Sequence, residues 1–197
     1  KTLMGKICSL PEHSGTWLEY SSARAEDLIL LPSLVPPEQL ALAILNPLTA
    51  WRLLNDFEYL RPDDWIVQNA ANSAVGTSVI QFAKRLGVNV VNLVRREELE
   101  KPLNELGAKH VLLDDEDSPA TIKDLTDGAG CRLALNSVGG RSALRLAKSL
   151  TSGGVHVTFG AMTGEQVRFP TRNLIFDDIR FVGFWLDKWK RSRDLAA

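Results

Sequence analysis

Two cysteines among 197 residues, Cys8 and Cys131, exclude a disulfide framework and a cysteine-based zinc motif, because two thiols so far apart in sequence build neither. The three histidines, His13, His110 and His156, each stand alone and read as surface or structural residues rather than metal ligands, so no metal site is expected. No charge of one sign prevails. Lys+Arg is 23 against Asp+Glu 24, a net −1, which argues against a protein built around the phosphate backbone of nucleic acid. No apolar run of about 18 residues occurs, so no segment is expected to span a membrane. The chain opens on Lys1, with no apolar signal region, no Arg/Ser-rich presequence and no initiator methionine. It is therefore expected to be a piece of a longer protein, and the few cysteines fit a reducing compartment.

What is present is enough hydrophobic sequence, 45%, for one sizeable core or for one domain plus part of another. Residues 1–37 hold short apolar runs interrupted by Gly5, Pro11, Gly15, Pro32, Pro36 and Pro37. Within them Gly15–Tyr20 reads as a short strand, Trp17 and Glu19 facing one way and Leu18 the other. This is too little to close a domain and reads as the tail end of an upstream β-rich unit. Residues 38–197 alternate between strand and helix. A short helix starts at Pro37 and breaks before Pro47, and Thr49 can cap a second helix over 50–56. Strands are expected at 65–68, 88–94, 110–113, 132–136, 155–159 and 179–184, with helices at 74–86, 97–106, 119–126 and 141–150 between them. Asp114-Asp115-Glu116-Asp117 reads as a solvated loop.

Strands separated by helices imply right-handed crossovers and a doubly wound parallel sheet, a Rossmann α/β fold. Such sheets bind ligands beyond the carboxyl ends of their strands, at the switch point beside the first strand. There the chain reads Asn69-Ala70-Ala71-Asn72-Ser73-Ala74-Val75-Gly76. The glycine fingerprint of dinucleotide folds is broken, with only Gly76, the helix-packing glycine, in place. The residues stay small enough for backbone N–H groups to approach a pyrophosphate at the helix N-terminus. Asn72 and Ser73 can add hydrogen bonds, and an asparagine tolerates the positive φ of a tight turn. About 20 residues on, NAD-selective proteins carry an acid; here Arg95-Arg96 stands instead. Two guanidinium groups match a 2′-phosphate and so favour NADPH. The competing reading is an exposed basic pair leading into the next helix, and the loop before it favours phosphate.

Three strings carry a resemblance: Asn46-Pro47-Leu48-Thr49-Ala50-Trp51-Arg52, Gln68 through Gly76, and Gly183-Phe184-Trp185-Leu186. Together they are similar to the mitochondrial-type 2-enoyl thioester reductases of the medium-chain dehydrogenase/reductase superfamily. The likeness runs over about residues 12–193. It implies that residues 1–37 end a GroES-like barrel domain and that 38–197 form the NADP-binding domain. It also implies NADPH-dependent reduction of trans-2-enoyl-CoA or enoyl-acyl-carrier-protein in fatty acid synthesis, by a homodimer. By the same resemblance Asn46 and Thr49 lie beside the nicotinamide ribose and ring. Asn72, Ser73, Ala74, Val75 and Gly76 hold the pyrophosphate, and Arg95 and Arg96 the 2′-phosphate. Phe159, Gly160, Ala161 and Met162 border the nicotinamide. Phe184, Trp185, Leu186 and Asp187 line the cofactor and acyl pocket; without the resemblance Trp185 reads rather as a core or dimer-interface aromatic. The family's proton-donor tyrosine belongs to the barrel domain, and neither Tyr20 nor Tyr59 sits in the matching motif, so no catalytic residue is assigned within this chain. A zinc-free NADPH:quinone reductase and a non-catalytic NADPH-binding or dimerising form remain as alternatives. The compartment is expected to be the cytoplasm, or the mitochondrial matrix for a eukaryotic source.

Overall fold

The structure, a computed structural model, describes residues 3–11 and 14–192, so the expectation for His13 lies outside the described residues. It divides into two compact units, Lys1–Leu48 and Thr49–Ala197. The division falls later than residue 37, so the first helix belongs to the first unit.

In that unit β1 (Cys8–Ser9) and β2 (Ile29–Leu30) pair antiparallel, and α1 (Pro37–Ala43) starts on a proline whose fixed φ suits a first turn. The expected strand at Gly15–Tyr20 is not formed. The segment runs as bends, and Trp17 is fully exposed. Alternating sequence makes a strand only where a neighbour completes the ladder, and no described residue does so here. Next, α2 (Asn46–Asn55) begins earlier than expected. Thr49 therefore does not cap it but lies buried inside it, and Pro47 sits in the first turn, where the missing N–H would have had no intrahelical partner.

The second unit carries a six-stranded, all-parallel sheet in the order β5-β4-β3-β6-β7-β8. Along the chain β3 (Trp65–Gln68), α3 (Ala74–Leu86), β4 (Asn89–Val94), α4 (Glu100–Glu105) and β5 (His110–Leu113) build one half outward. After α5 (Ser118–Leu125) the chain returns to the other side of β3 with β6 (Cys131–Asn136), α6 (Gly140–Lys148), β7 (Leu150–Thr158), α7 (Thr171–Phe176), β8 (Arg180–Gly183) and α8 (Leu186–Ser192). The doubly wound fold is thus present, with its switch point between β3 and β6.

Alternation along each strand divides the core into two layers. Ile66, Val90, Leu133, Leu135, Val155 and Val157 face α2 and α3, packing on Ala50, Leu53, Leu54, Val79 and Ala83. Val67, Val91, Leu93, Cys131 and Ala134 face the other way, with Ile122 of α5 and Leu146 of α6. The expected helix over 97–106 divides: a 3-10 turn covers Glu97–Leu99, and α4 follows with Pro102 in its first turn. Both α7 and α8 went unread in the sequence. They are short, and α7 buries no residue, so no apolar period announces it.

His156 is fully buried in β7, its ring 4.8 Å from that of Phe181 in β8. Burial pushes its pKa down to about 4; backbone groups of Ala143 and of His156 itself oppose the shift only in part. Neither ring nitrogen reaches hydrogen-bond geometry, so the imidazole stays neutral inside the sheet layer. His110 is half-buried against Trp65, 4.9 Å between rings, with its pKa lowered by burial and by Lys109. The Cys131 thiol is buried and pushed up to about 12.

Candidate functional site

The carboxyl ends of β4, β3, β6, β7 and β8 form one edge, and most of the residues expected to act lie along it. At β3 the ladder continues past the strand: the Asn69 N–H donates to Leu135 O and the Ala71 N–H to Leu93 O, both at 3.2 Å. Between them the chain turns through Ala70, whose φ of +46° lies in the left-handed region. The positive φ expected of Asn72 therefore falls on Ala70 instead, a position where glycine would be unstrained. Asn72 is exposed.

Ser73 caps α3, its hydroxyl oxygen accepting from the Gly76 N–H at 3.1 Å. The hydroxyl proton remains free to donate outward. The N–H groups of Ala74 and Val75, in the first turn of α3, have no intrahelical acceptor by construction. Gly76 is held in place by its surroundings. A Cβ there would meet Ala71 O at 2.5 Å, so the helix can approach the loop this closely only without a side chain. The Gly76 carbonyl accepts from Gln68 Nε2 at 3.1 Å, and the same amide donates to Asn92 Oδ1 at 2.7 Å, locking α3 to β3 and β4 from beneath.

Arg95 and Arg96 follow β4 directly, beside the turn that Ala71 anchors to Leu93. Both are exposed, and neither guanidinium has an ion-pair or hydrogen-bond partner among the described residues. A helix N-terminus with open N–H groups next to two unpaired guanidinium groups suits a ligand with a diphosphate and a further phosphate.

Across the switch point the loops after β6 and β7 are tied together. Met162 N–H donates to Ser137 O at 2.9 Å and Thr163 N–H to Val138 O at 3.1 Å, while Thr163 Oγ1 also donates to Val138 O. Gly139, φ +96°, passes so near Glu165 O that a Cβ would lie 2.6 Å from it. A Cβ on Gly160 would meet Ser137 O at 3.0 Å. Phe159 packs partly on the core, and Ala161 and Met162 are exposed at the edge.

At β8 the Phe184 N–H donates to Thr158 O, and its ring packs edge-on against Phe57 at 5.6 Å. Trp185 stays 60% exposed, with the Arg191 guanidinium 4.8 Å from its ring. Leu186 is buried at the start of α8, and Asp187 ion-pairs with Lys190 at 3.8 Å. A groove runs beside Trp185, between Asn55–Phe57 and Lys188–Ser192. Asn46 is the first residue of α2 and belongs to the N-terminal unit; Thr49 is buried in the same helix.

One cluster at this edge went unread. The acidic run 114–117 does not form a solvated loop throughout: Asp114 is nearly buried and takes Arg145 Nε at 2.8 Å, while Ser142 Oγ donates to its other oxygen. Asp115 accepts from the Ser118 N–H at 3.0 Å, shaping the entry to α5. Ser142 in turn accepts from the buried amide of Asn69, which also donates to Asn136. The sequence signal was an asparagine at the carboxyl end of each of two apolar strands, where an uncompensated amide would be costly.

A family profile described as zinc-binding dehydrogenase matches residues 74–197. The chain belongs to the zinc-binding dehydrogenase family. Among the described residues no group of three or more His, Cys, Asp or Glu side chains is placed to hold a metal ion. A relative named mitochondrial enoyl-[acyl-carrier-protein] reductase, from Xenopus tropicalis, is 42% identical over 91% of the chain and 53% of the relative. The chain thus spans about half the length of the curated relatives it matches. Among solved structures, the complex of Etr1p with NADP and crotonyl-CoA is 31% identical with a TM-score of 0.80, over 86% of this chain and 52% of that one. The heterodimer of mitochondrial 2-enoyl thioester reductases Etr1p and Etr2p from Candida tropicalis gives 31% and 0.81, over 87% and 53%. A quinone oxidoreductase from Pseudomonas syringae pv. Tomato gives 27% and 0.76, over 84% and 51%.

Proposed function

We propose that the protein of which this chain forms the cofactor-binding part reduces trans-2-enoyl thioesters with NADPH. The observation that carries the cofactor is the pair of unpartnered guanidinium groups, Arg95 and Arg96, beside the open N-terminus of α3. The substrate class rests on relatives and neighbours named as enoyl reductases, one of them holding NADP and crotonyl-CoA.

NADPH supplies the hydride when bound. The Ala74 and Val75 N–H groups, with the Asn72 and Ser73 side chains, would hold its pyrophosphate at the positive end of α3, and Gly76 permits that approach. Arg95 and Arg96 would pair with the 2′-phosphate. Phe159 to Met162 would border the nicotinamide, with Thr49 beside its ribose and ring, as in the family the motifs resemble. Trp185, with Phe184 behind it and Leu186-Asp187 after it, would wall the acyl and cofactor pocket. Reduction places negative charge on the thioester oxygen and requires a proton at the α-carbon. Tyr20 and Tyr59 are both exposed, at 89% and 78%, and the proton is assigned to neither.

The experiment is turnover by the full-length protein with NADPH, offering crotonyl-CoA against a small quinone. Reduction of the thioester supports the proposal. Reduction of the quinone alone favours the quinone reductase reading, to which the likeness to a quinone oxidoreductase lends weight. Tight NADPH binding with neither turnover favours a binding module.

We further propose an isologous homodimer formed through β8. It is an edge strand of the sheet, and the segment leading to it exposes Phe169, Leu174, Ile175 and Phe176. Sedimentation at micromolar concentration should give a dimer; a monomer would count against it. No helix among the described residues is long and apolar enough to cross a membrane. Relatives named as mitochondrial favour the matrix over the cytoplasm. Import of a tagged full-length protein into mitochondria tests that placement.

A further inference from the structure

The buried amide of Asn69 stands at the point where the two cofactor-side loops meet. Its Nδ2 donates to Asn136 Oδ1 and to Ser142 Oγ, each at 2.8 Å, and its Oδ1 accepts from the Ser137 N–H at 2.8 Å. Three strong bonds therefore leave one side chain that is 2% exposed. Asn136 extends the connection. Its Oδ1 also accepts from the Val138 and Gly139 N–H groups, at 3.2 and 3.1 Å, and its Nδ2 donates to Thr158 Oγ1 at 3.1 Å. The backbone carbonyls of Ser137 and Val138 then hold Met162 and Thr163. A continuous set of bonds thus runs from the start of the loop after β3, through the loop after β6, to the loop after β7.

We infer that Asn69 is a positioning residue for the cofactor, fixing the distance between the loop that faces the pyrophosphate and the loops that face the nicotinamide. It touches no ligand atom itself. Buried amides of this kind hold a backbone in one arrangement before any ligand arrives, so the ligand bears less of the ordering cost. A ligand that spans both loops gains from that fixed distance, and a ligand confined to the β4 end does not. The inference rests on the NADPH reading above and gives a role to Asn69, the one polar residue of the loop to which no ligand contact is assigned.

The test compares two ligands on one variant of the full-length protein. NADPH reaches both loops; 2′,5′-ADP carries the 2′-phosphate toward Arg95 and Arg96 but has no nicotinamide half. Asn69→Asp keeps the shape and replaces the two donated hydrogens by an oxygen facing Asn136 Oδ1. Calorimetry should show NADPH binding weakened by at least about tenfold and 2′,5′-ADP binding by less than about twofold. Hydrogen exchange in the unliganded variant should speed up in residues 137–139 and 161–163. Equal weakening of both ligands, or unchanged NADPH affinity, would overturn the inference. If Asn69→Asp does not fold, Ser142→Ala removes one acceptor of the same amide, together with the hydroxyl's bond to Asp114. It should give the same ordering at about threefold, and equal effects on the two ligands would again overturn it. Failure of the wild-type protein to bind either ligand would instead sink the NADPH reading itself.

Discussion

The two halves of the sheet's carboxyl edge are built from different materials. On the β3–β4 side the loop after β3 presents mainly backbone, with Ala70 in a left-handed turn, the capped start of α3 and Gly76 pressed against Ala71, and the exposed Arg95 and Arg96 flank it. On the β7–β8 side it is made of large side chains, with Met162 and Trp185 exposed and Phe159 and Phe184 packed half into the core. A backbone-built surface suits a part of the ligand that never changes, such as a phosphate. A side-chain-built surface can be resized by substitution, which suits the part of a substrate that varies.

The sharpest way to break this contrast is at Gly76. Gly76→Val should destroy the backbone-built half, because the new side chain has no room within 2.5 Å of Ala71 O. A loss of about 3 kcal/mol or more in a urea melt is expected, with NADPH binding abolished. Unchanged stability would mean that the contact is not tight.

Below the other half, His156 is neutral when folded, with its pKa near 4, and takes up a proton more readily when unfolded, near 6.5. Its contribution to stability is complete above about pH 6.5 and is lost as the pH falls toward 4. The expected loss is on the order of 3 kcal/mol. Denaturation midpoints measured from pH 7 to 4 should fall steeply in the wild type and less steeply in His156→Leu; parallel curves would remove His156 as the cause.

Trp185→Leu should lower enoyl-thioester turnover by around a hundredfold while leaving NADPH affinity nearly unchanged, since lost positioning acts on rate. If NADPH affinity falls as far as turnover does, Trp185 serves both ligands and the contrast blurs. Replacing Arg95 and Arg96 together by alanine should do the reverse, erasing a preference for NADPH over NADH of at least about tenfold, roughly 1.4 kcal/mol. Competition binding with the two cofactors measures it, and equal affinity in the wild type would refute the assignment.

The backbone-built half was also the more readable one. Strand β3 and helix α3 lie where the sequence places them, because apolar period and capping chemistry act over a few residues, and Gly87 closes α3 as a left-handed cap. Ser73, Gly76, Arg95 and Arg96 were likewise visible as types at fixed offsets from a strand. The unread parts depend on partners distant in the chain. Asp114 looks like any loop acid until Arg145 and Ser142 arrive beside it. Gly15–Tyr20 alternates like a strand but finds no neighbour among the described residues, and α7 and α8 are too short to show a period. Local chemistry names the residues proposed to meet a ligand; the residues that hold those in place are identified only by the fold.

Cys131 opens β6 with its thiol sealed between sheet and helices and its ionisation displaced to about 12. Almost none of it exists as the thiolate that alkylating and oxidising agents attack. Its slow reaction therefore acts as a clock for the innermost part of the sheet, advancing only when β6 separates from its neighbours. Half-buried Cys8, in the other unit, stays within reach of reagent and supplies the comparison rate. One labelling time course, read by mass at each cysteine, would record how often β6 opens, without any engineered probe.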